Sequence, residues 1–167
     1  MKISSREFMT IEWRFLLFGL LMALFSSLGQ TFFISLFSSK IRDALWLSHG
    51  DFGTYYAIAT TASAITLLWL GKLADVMRVE KLALVVLMSL SGAALFFSQV
   101  QSVTMLLIGL FMLRLFGQGM TTHTYATAIA RRYISARGRA LSIAQLGHTL
   151  GESIAPISVV TMMLVIE

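Results

Sequence analysis

The chain has 167 residues, of which 57% are hydrophobic and only 13% are charged. Soluble domains carry about 25% charged residues, so the composition excludes an ordinary soluble globular protein. The chain has no cysteine, which excludes disulfides and thiolate chemistry. No Walker, nucleophile-elbow, zinc-helix or dinucleotide motif indicates an enzyme, a metal site or a cofactor. The net charge of +5 does not indicate a nucleic-acid partner, because the basic residues flank apolar runs.

Five apolar runs are long enough to cross a bilayer as helices, and they predict an all-α polytopic membrane protein. The first run is too long for a signal peptide and has no small-residue cleavage site after it. Its Gln30 is predicted to line a cavity, because a buried amide needs partners. Ser48 and Asp51 resemble a capping box that would open the second helix near His49. The predicted spans cover residues 15–37, 52–70, 82–100, 103–130 and 140–166.

The polar connections predict the orientation of the spans. Residues 71–81 form a short polar turn between the second and third spans, and arginines cluster again at 131–139. Ten basic residues fall on the side of the N-terminus and these two connections, against only Lys40 and Arg42 on the other side. The positive-inside rule therefore places the N-terminus in the cytoplasm.

The fourth span carries Arg114 near its middle. A charge at that depth costs about 2.5–3.5 kcal/mol on insertion scales, so such a residue usually faces a cavity or a partner. At 100° per residue, Gln118 and Tyr125 share the face of Arg114, whereas His123 points to the opposite side. Two interpretations remain open: the guanidinium binds a carboxylate or phosphate of a solute, or it ties helices together through buried carbonyls.

The fifth span combines a seam of small residues with a polar face. Gly147 and Gly151 form a close-packing pattern of the GxxxG kind. His148 and Glu152 lie one turn apart, and burial and the imidazole would act in opposite directions on the carboxyl, which makes this a candidate proton site. Alternatively, Glu152 pairs with Arg114 as a structural ion pair.

Three motifs resemble those in the N-terminal half of transporters of the major facilitator superfamily, and they occur in the same order along the chain. The first resembles the loop between the second and third spans, where an acid takes part in gating. The second resembles the fourth-span arginine that is followed by glycines and is linked to proton coupling or substrate binding. The third resembles the fifth-span motif of spaced glycines with a proline. The matching residues are Gly71, Leu73, Ala74 and Asp75 in the first motif, Arg114, Gly117 and Gly119 in the second, and Gly147, Gly151 and Pro156 in the third.

The chain also departs from the family pattern at two places. After Asp75 the family has a basic residue, a glycine and further basic residues, whereas Val76, Arg78 and Glu80 are found here. The resemblance still implies a gating role for the loop residues Gly71, Asp75 and Arg78. In the third motif, Glu152 stands where the family often has the proline. The candidates for contact with a substrate or a coupling ion are Arg114, Gln30, Glu152, His148, Gln118 and Tyr125.

The resemblance implies a secondary transporter of small solutes in the bacterial inner membrane, which works by alternating access between two halves. Organic anions are the favoured solutes, and protons are the candidate coupling ion. The lipid bilayer and the solute are the expected partners, and no cofactor, metal or nucleic acid is expected.

A family half has six spans and a transporter has two halves, so five spans predict an N-terminal fragment without its C-terminal half. The apolar run 158–166, with only Glu167 after it, favours truncation. Two alternatives remain: a membrane fragment with an assembly or regulatory role and no transport activity, and a half-size transporter that pairs with itself. The coding sequence downstream of Glu167 would separate the first interpretation from the other two.

Overall fold

The computed structural model describes the backbone of residues 5–166 and the side chains of residues 10–161. Within these limits all regular elements are helical, which confirms the all-α prediction. A 3₁₀ turn (Ser27–Gly29) follows the first helix, and a π-helical segment (Leu113–Thr121) separates the seventh from the eighth. The helices are α1 (Ser5–Ser26), α2 (Thr31–Leu36), α3 (Ser38–Leu45), α4 (His49–Leu70), α5 (Leu73–Val76), α6 (Val79–Phe97), α7 (Val103–Met112), α8 (Thr122–Arg132) and α9 (Arg137–Ile166).

Four helical segments of the described chain are long and apolar enough to cross a membrane. They are Thr10–Leu36, His49–Val76, Val79–Phe97 and Val103–Arg132. The shortest has 19 residues, which corresponds to about 28 Å of helix and matches a bilayer core of about 30 Å. Helix α9 is not among the four, so a fifth span at 140–166 stays a prediction.

The start of α4 shows how local sequence sets a helix boundary. The Ser48 hydroxyl accepts a hydrogen bond from the Asp51 backbone N–H at 3.1 Å, and the Asp51 carboxylate accepts one from the Ser48 N–H at 3.0 Å. This is the predicted capping box, and the helix begins at His49 as expected. The helix therefore starts three residues before the apolar run does.

The first span is interrupted where an unbroken helix was predicted. Gln30 has an extended backbone between the 3₁₀ turn and α2. The break lies where Gly29 crosses the π-helical segment so closely that a Cβ on Gly29 would meet the Gly117 Cα at 2.7 Å. Carbonyls at a helix end lack partners within the helix, so the Gly29 carbonyl is available to a neighbouring side chain.

Helix α9 packs along α1 through its glycines. A Cβ on Gly147 would meet the Leu24 backbone N at 2.8 Å, and one on Gly151 would collide with the Ser27 side chain. Small residues therefore let the two backbones approach closely. Pro156 lies further along, inside α9.

The N-terminal segment and both basic connections meet at one end of the bundle. Arg132 pairs with Glu12 of α1 at 2.9 Å, and the Tyr133 hydroxyl donates to the same carboxylate at 2.8 Å. Arg131 pairs with Asp75 of the 71–81 connection at 2.6 Å. The alternation of the spans predicts this grouping at one end.

Candidate functional site

A cavity of about 490 Å³ lies between the second and fourth spans, and it is bordered by the break in the first span and by α9. Its size is in the range of small-molecule sites in proteins. The residues that line it are mostly polar or small: Gln30, Thr60, Ser63, Ala64, Leu67, Arg114, Gln118, Gly119, Thr122, His123, Ala126 and His148. The cavity is therefore the candidate binding site.

Arg114 is buried in the cavity wall, with 8% of its surface exposed. Its Nη1 donates to the Gly29 carbonyl at 3.0 Å and approaches the Thr31 hydroxyl at 3.5 Å. The guanidinium carbon also lies 5.3 Å from the centre of the Tyr56 ring, a cation–π contact. The Tyr56 hydroxyl is 2.7 Å from that of Thr31. Three neighbouring groups from two spans thus hold the guanidinium in position.

Several polar atoms in the cavity wall have no hydrogen bond. In the described part of the chain, four buried side-chain polar atoms lack a partner. Three of them belong to residues that line this cavity: Arg114 Nε, Thr60 Oγ1 and Thr122 Oγ1. Buried polar groups are almost always paired in native proteins, so these three atoms leave hydrogen-bonding capacity in this wall that a polar ligand or a water molecule would use.

The titratable side chains that line the cavity are all basic: Arg114, His123 and His148. No carboxylate lies among the described residues of the wall. A concave site with charge of one sign concentrates ligands of the opposite sign. Elsewhere, no group of three or more histidine or acidic side chains in the described residues could hold a metal ion.

The π-helical segment changes which side chains face the cavity. Its hydrogen bonds run from i to i+5, so each residue turns by less than the 100° of an α-helix. Over Leu113–Thr121 this difference accumulates. His123 was predicted to lie opposite Arg114, but it lines the same cavity. Tyr125 was predicted to share the face of Arg114, but it is 1% exposed and does not line the cavity. The assumption of α-helical geometry was wrong here.

His148 connects α9 to the cavity wall. Its Nε2 lies 3.1 Å from the Tyr125 hydroxyl, and its Nδ1 lies 3.2 Å from the Ser26 hydroxyl. Glu152, one turn further, is exposed and is not part of the cavity wall. Gly151 packs against α1, and the next residue, about 100° around the helix, points away from that contact. The structure therefore does not bring Glu152 to Arg114, and that predicted pairing is corrected.

The loop residues form contacts at the edge of the site. The buried Gly71 accepts a hydrogen bond at its carbonyl from His123 Nε2 at 3.0 Å, which links the loop to the cavity wall. Asp75 pairs with Arg131, whose Nη1 also donates to the Ala74 carbonyl at 2.6 Å. Arg78 pairs with the exposed Glu80 at 3.5 Å.

The sequence prediction missed the contribution of α4 to the site. Tyr56 contacts Arg114, and Thr60 and Ser63 line the cavity, yet none of the three was among the predicted site residues. The spacing of four and then three residues places all three on one face of a helix. This polar stripe, which includes three hydroxyls, was the signal that could have identified them.

The sequence also matches a family model. The model of the Major Facilitator Superfamily matches residues 19–164. Comparison with curated proteins and comparison with solved structures each gave no match. The matched segment includes the cavity, the 71–81 connection and most of α9. The chain belongs to the Major Facilitator Superfamily, a family of membrane transporters.

Proposed function

We propose that this chain forms the Arg114 side of a binding cavity for small organic anions in a secondary transporter. The observation that supports it most is the buried guanidinium on a cavity wall where none of the described residues is acidic. A positive charge within a span is costly, and a bound anion would offset that cost.

The hydrogen bonds of Arg114 favour a ligand over a purely structural role. An arginine that only ties helices together would use its donors on buried carbonyls. Here one carbonyl, that of Gly29, accepts from Nη1, and the buried Nε has no partner in the described chain. Arginine binds carboxylates with two parallel N–H donors. A carboxylate that reaches Nε would provide the partner that this donor lacks, and the Thr60 and Thr122 side chains line the same cavity.

The proposed mechanism is alternating access. In this family, two halves rock around a site near the middle of the membrane. The first and fourth spans, which carry Gln30 and Arg114, would form one side of that site. We further propose that the protein lies in a bacterial inner membrane, with its N-terminus and its two basic connections on the cytoplasmic side.

Binding of matched pairs of anions and neutral amides tests the proposed function. Calorimetry on the purified protein would compare benzoate with benzamide and succinate with succinamide. We expect at least one of the anions to bind, and its amide to bind more weakly by about tenfold or more, because a charge-assisted bond is lost. Arg114→Lys should also weaken the anion about tenfold, since lysine keeps the charge but lacks the planar fork. Arg78→Lys, at an exposed position, is the matched control.

Two outcomes would contradict the proposal. One is equal binding of an anion and its amide, which would show that charge is not recognised. The other is unchanged anion affinity in Arg114→Lys, which would leave Arg114 with a structural role only.

A further inference from the structure

We infer that a smaller cavity beside Arg42 is a separate binding site for the carboxylate of a small anion. This cavity, called the Arg42 cavity below, has a volume of about 190 Å³ and lies between α2, α3 and the start of α4. The site goes beyond the proposed function, because its chemistry does not require an anion at Arg114. The residues that line it are Thr31, Ile34, Ser35, Ser38, Arg42, His49, Phe52, Gly53 and Tyr56.

Arg42 gives this cavity a positive charge that no carboxylate neutralises. Its side chain is partly buried, and within the described residues its guanidinium has neither an ion pair nor a hydrogen bond. Asp43 and Asp51 are near it in sequence, but neither lines the cavity, and the Asp51 carboxylate already accepts from Ser48. His49 adds an imidazole that donates an N–H in either tautomer. A guanidinium with unused donors can bind a carboxylate through two parallel N–H bonds.

Thr31 and Tyr56 provide one further donor, a hydroxyl proton. Their oxygens are 2.7 Å apart, and Arg114 Nη1 approaches the Thr31 oxygen at 3.5 Å. Only one of the two hydroxyl protons can lie between these oxygens, so the other has no acceptor among the described residues. The hydroxyls of Ser35 and Ser38, in contrast, donate to backbone carbonyls. The remaining O–H is therefore available to an anion, whichever of the two residues carries it.

The Arg42 cavity is distinct from the cavity that Arg114 lines. None of the described residues lines both. Thr31 and Tyr56 line the Arg42 cavity and contact Arg114 from that side, so a single layer of side chains separates the two. Since a water molecule occupies about 30 Å³ in the liquid, the volume of the Arg42 cavity equals that of about six water molecules. Acetate, with only four non-hydrogen atoms, is small enough to enter it.

Charged thiol reagents test the potential of the Arg42 cavity without any ligand. The chain has no cysteine, so Ser35→Cys places a single thiol in the cavity wall. The rate of its reaction with an anionic methanethiosulfonate is divided by the rate with a cationic one. Arg42→Gln should lower this ratio by about threefold or more, because a nearby positive charge is lost. Lys40→Gln is the matched control and should change it much less, since Lys40 is an exposed residue of the same helix that does not line the cavity.

Protection of the same thiol tests binding. Acetate or acetamide would be added to the purified protein at constant ionic strength, and the thiol would be modified with an uncharged methanethiosulfonate. We expect acetate to slow the reaction in a saturable way and acetamide to have little effect, because the amide cannot form the charge-assisted bond. Arg42→Gln should weaken the protection by acetate about tenfold or more, whereas Lys40→Gln should retain it.

The outcomes separate this inference from the proposed function. No protection by acetate, equal protection by acetamide, or protection that survives Arg42→Gln would overturn the inference. An equal loss of protection at Thr122→Cys, a thiol in the wall of the Arg114 cavity, would also overturn it, because the two cavities would then act as one site. If acetate protects Ser35→Cys through Arg42 while benzoate and succinate fail to bind at Arg114, the proposed function fails and the Arg42 site stands.

Discussion

Arg114 shows how a single charged residue can be stabilised within a membrane span. One carbonyl, one hydroxyl and one aromatic ring surround its guanidinium. The carbonyl is available because the first span breaks at Gln30, next to Gly29. Gly29 in turn can lie there only because its neighbour in the π-helical segment, Gly117, also lacks a side chain. The position of the charge thus depends on a contact between two glycines.

This contact predicts a strong effect of one methyl group. Gly29→Ala should destabilise the protein by about 1–3 kcal/mol, because its Cβ would overlap the backbone of the π-helical segment. Gly92→Ala is the matched control, since a Cβ there meets nothing within 4 Å and alanine should be neutral or stabilising by up to about 1 kcal/mol in a helix. Reversible unfolding in mixed micelles measures both. Equal stability of Gly29→Ala and Gly92→Ala would show that the two backbones do not lie so close together.

Some residues of the site could be predicted from the sequence, and the reason is their local chemistry. An arginine or a glutamine within an apolar run is costly wherever it lies, so Arg114 and Gln30 stood out. Gln118 is only four residues from Arg114, so the two were expected on one face, and both line the cavity. The burial of Tyr125, the cavity-facing position of His123 and the exposure of Glu152 were not predictable. They depend on a change of helix type and on how α9 packs, which hydrophobic periodicity does not encode.

At the scale of elements, the start of α4 could be predicted from local sequence, whereas the irregular segments inside the first and fourth spans could not. The capping box fixed the start of α4 at His49, whereas no residue pattern announced the break at Gln30 or the π-helical segment. Both irregular elements border the cavity, and π-helical turns are often found at functional sites. A second link between elements joins Asp75 of α5 to Arg131 at the end of α8.

The link between Asp75 and Arg131 predicts a kinetic effect. If the 71–81 connection takes part in gating, Asp75→Asn should lower the maximal transport rate by roughly threefold or more and leave KM nearly unchanged, since the pair lies outside the cavity wall. Glu80→Gln, which breaks the exposed pair with Arg78, is the control and should have little effect. Initial uptake rates over a range of anion concentrations measure both parameters. A change in KM alone would contradict a gating role for the pair.

At the scale of the whole molecule, three segments gather at one end of the bundle. Glu12, Asp75 and their arginine partners bring the N-terminal segment and both basic connections together. The connection that carries Lys40 and Arg42 lies on the other side of the predicted spans. Since basic residues collect on the cytoplasmic side, we expect the first end to face the cytoplasm.

Single-cysteine labelling tests this orientation, and the chain offers a clean background because it has no cysteine. Ser39 and Ser135 are both exposed and lie in connections at opposite ends. In intact bacterial cells, a membrane-impermeant maleimide should label Ser39→Cys and should leave Ser135→Cys unlabelled until the membrane is permeabilised. The reverse pattern would invert the proposed topology, and labelling of both would show that they do not lie on opposite sides.

The central claim is that Arg114 binds an anionic solute during transport. Uptake of radiolabelled benzoate and succinate by proteoliposomes that contain the complete gene product tests it most directly. We predict saturable uptake of at least one anion by the wild type and by Arg14→Gln, which changes an exposed arginine outside the cavity and the gating loop. Arg114→Gln at equal reconstituted protein should show almost none, because the neutral amide cannot provide the charge-assisted fork. Uptake by Arg114→Gln at the wild-type rate and KM would contradict the claim.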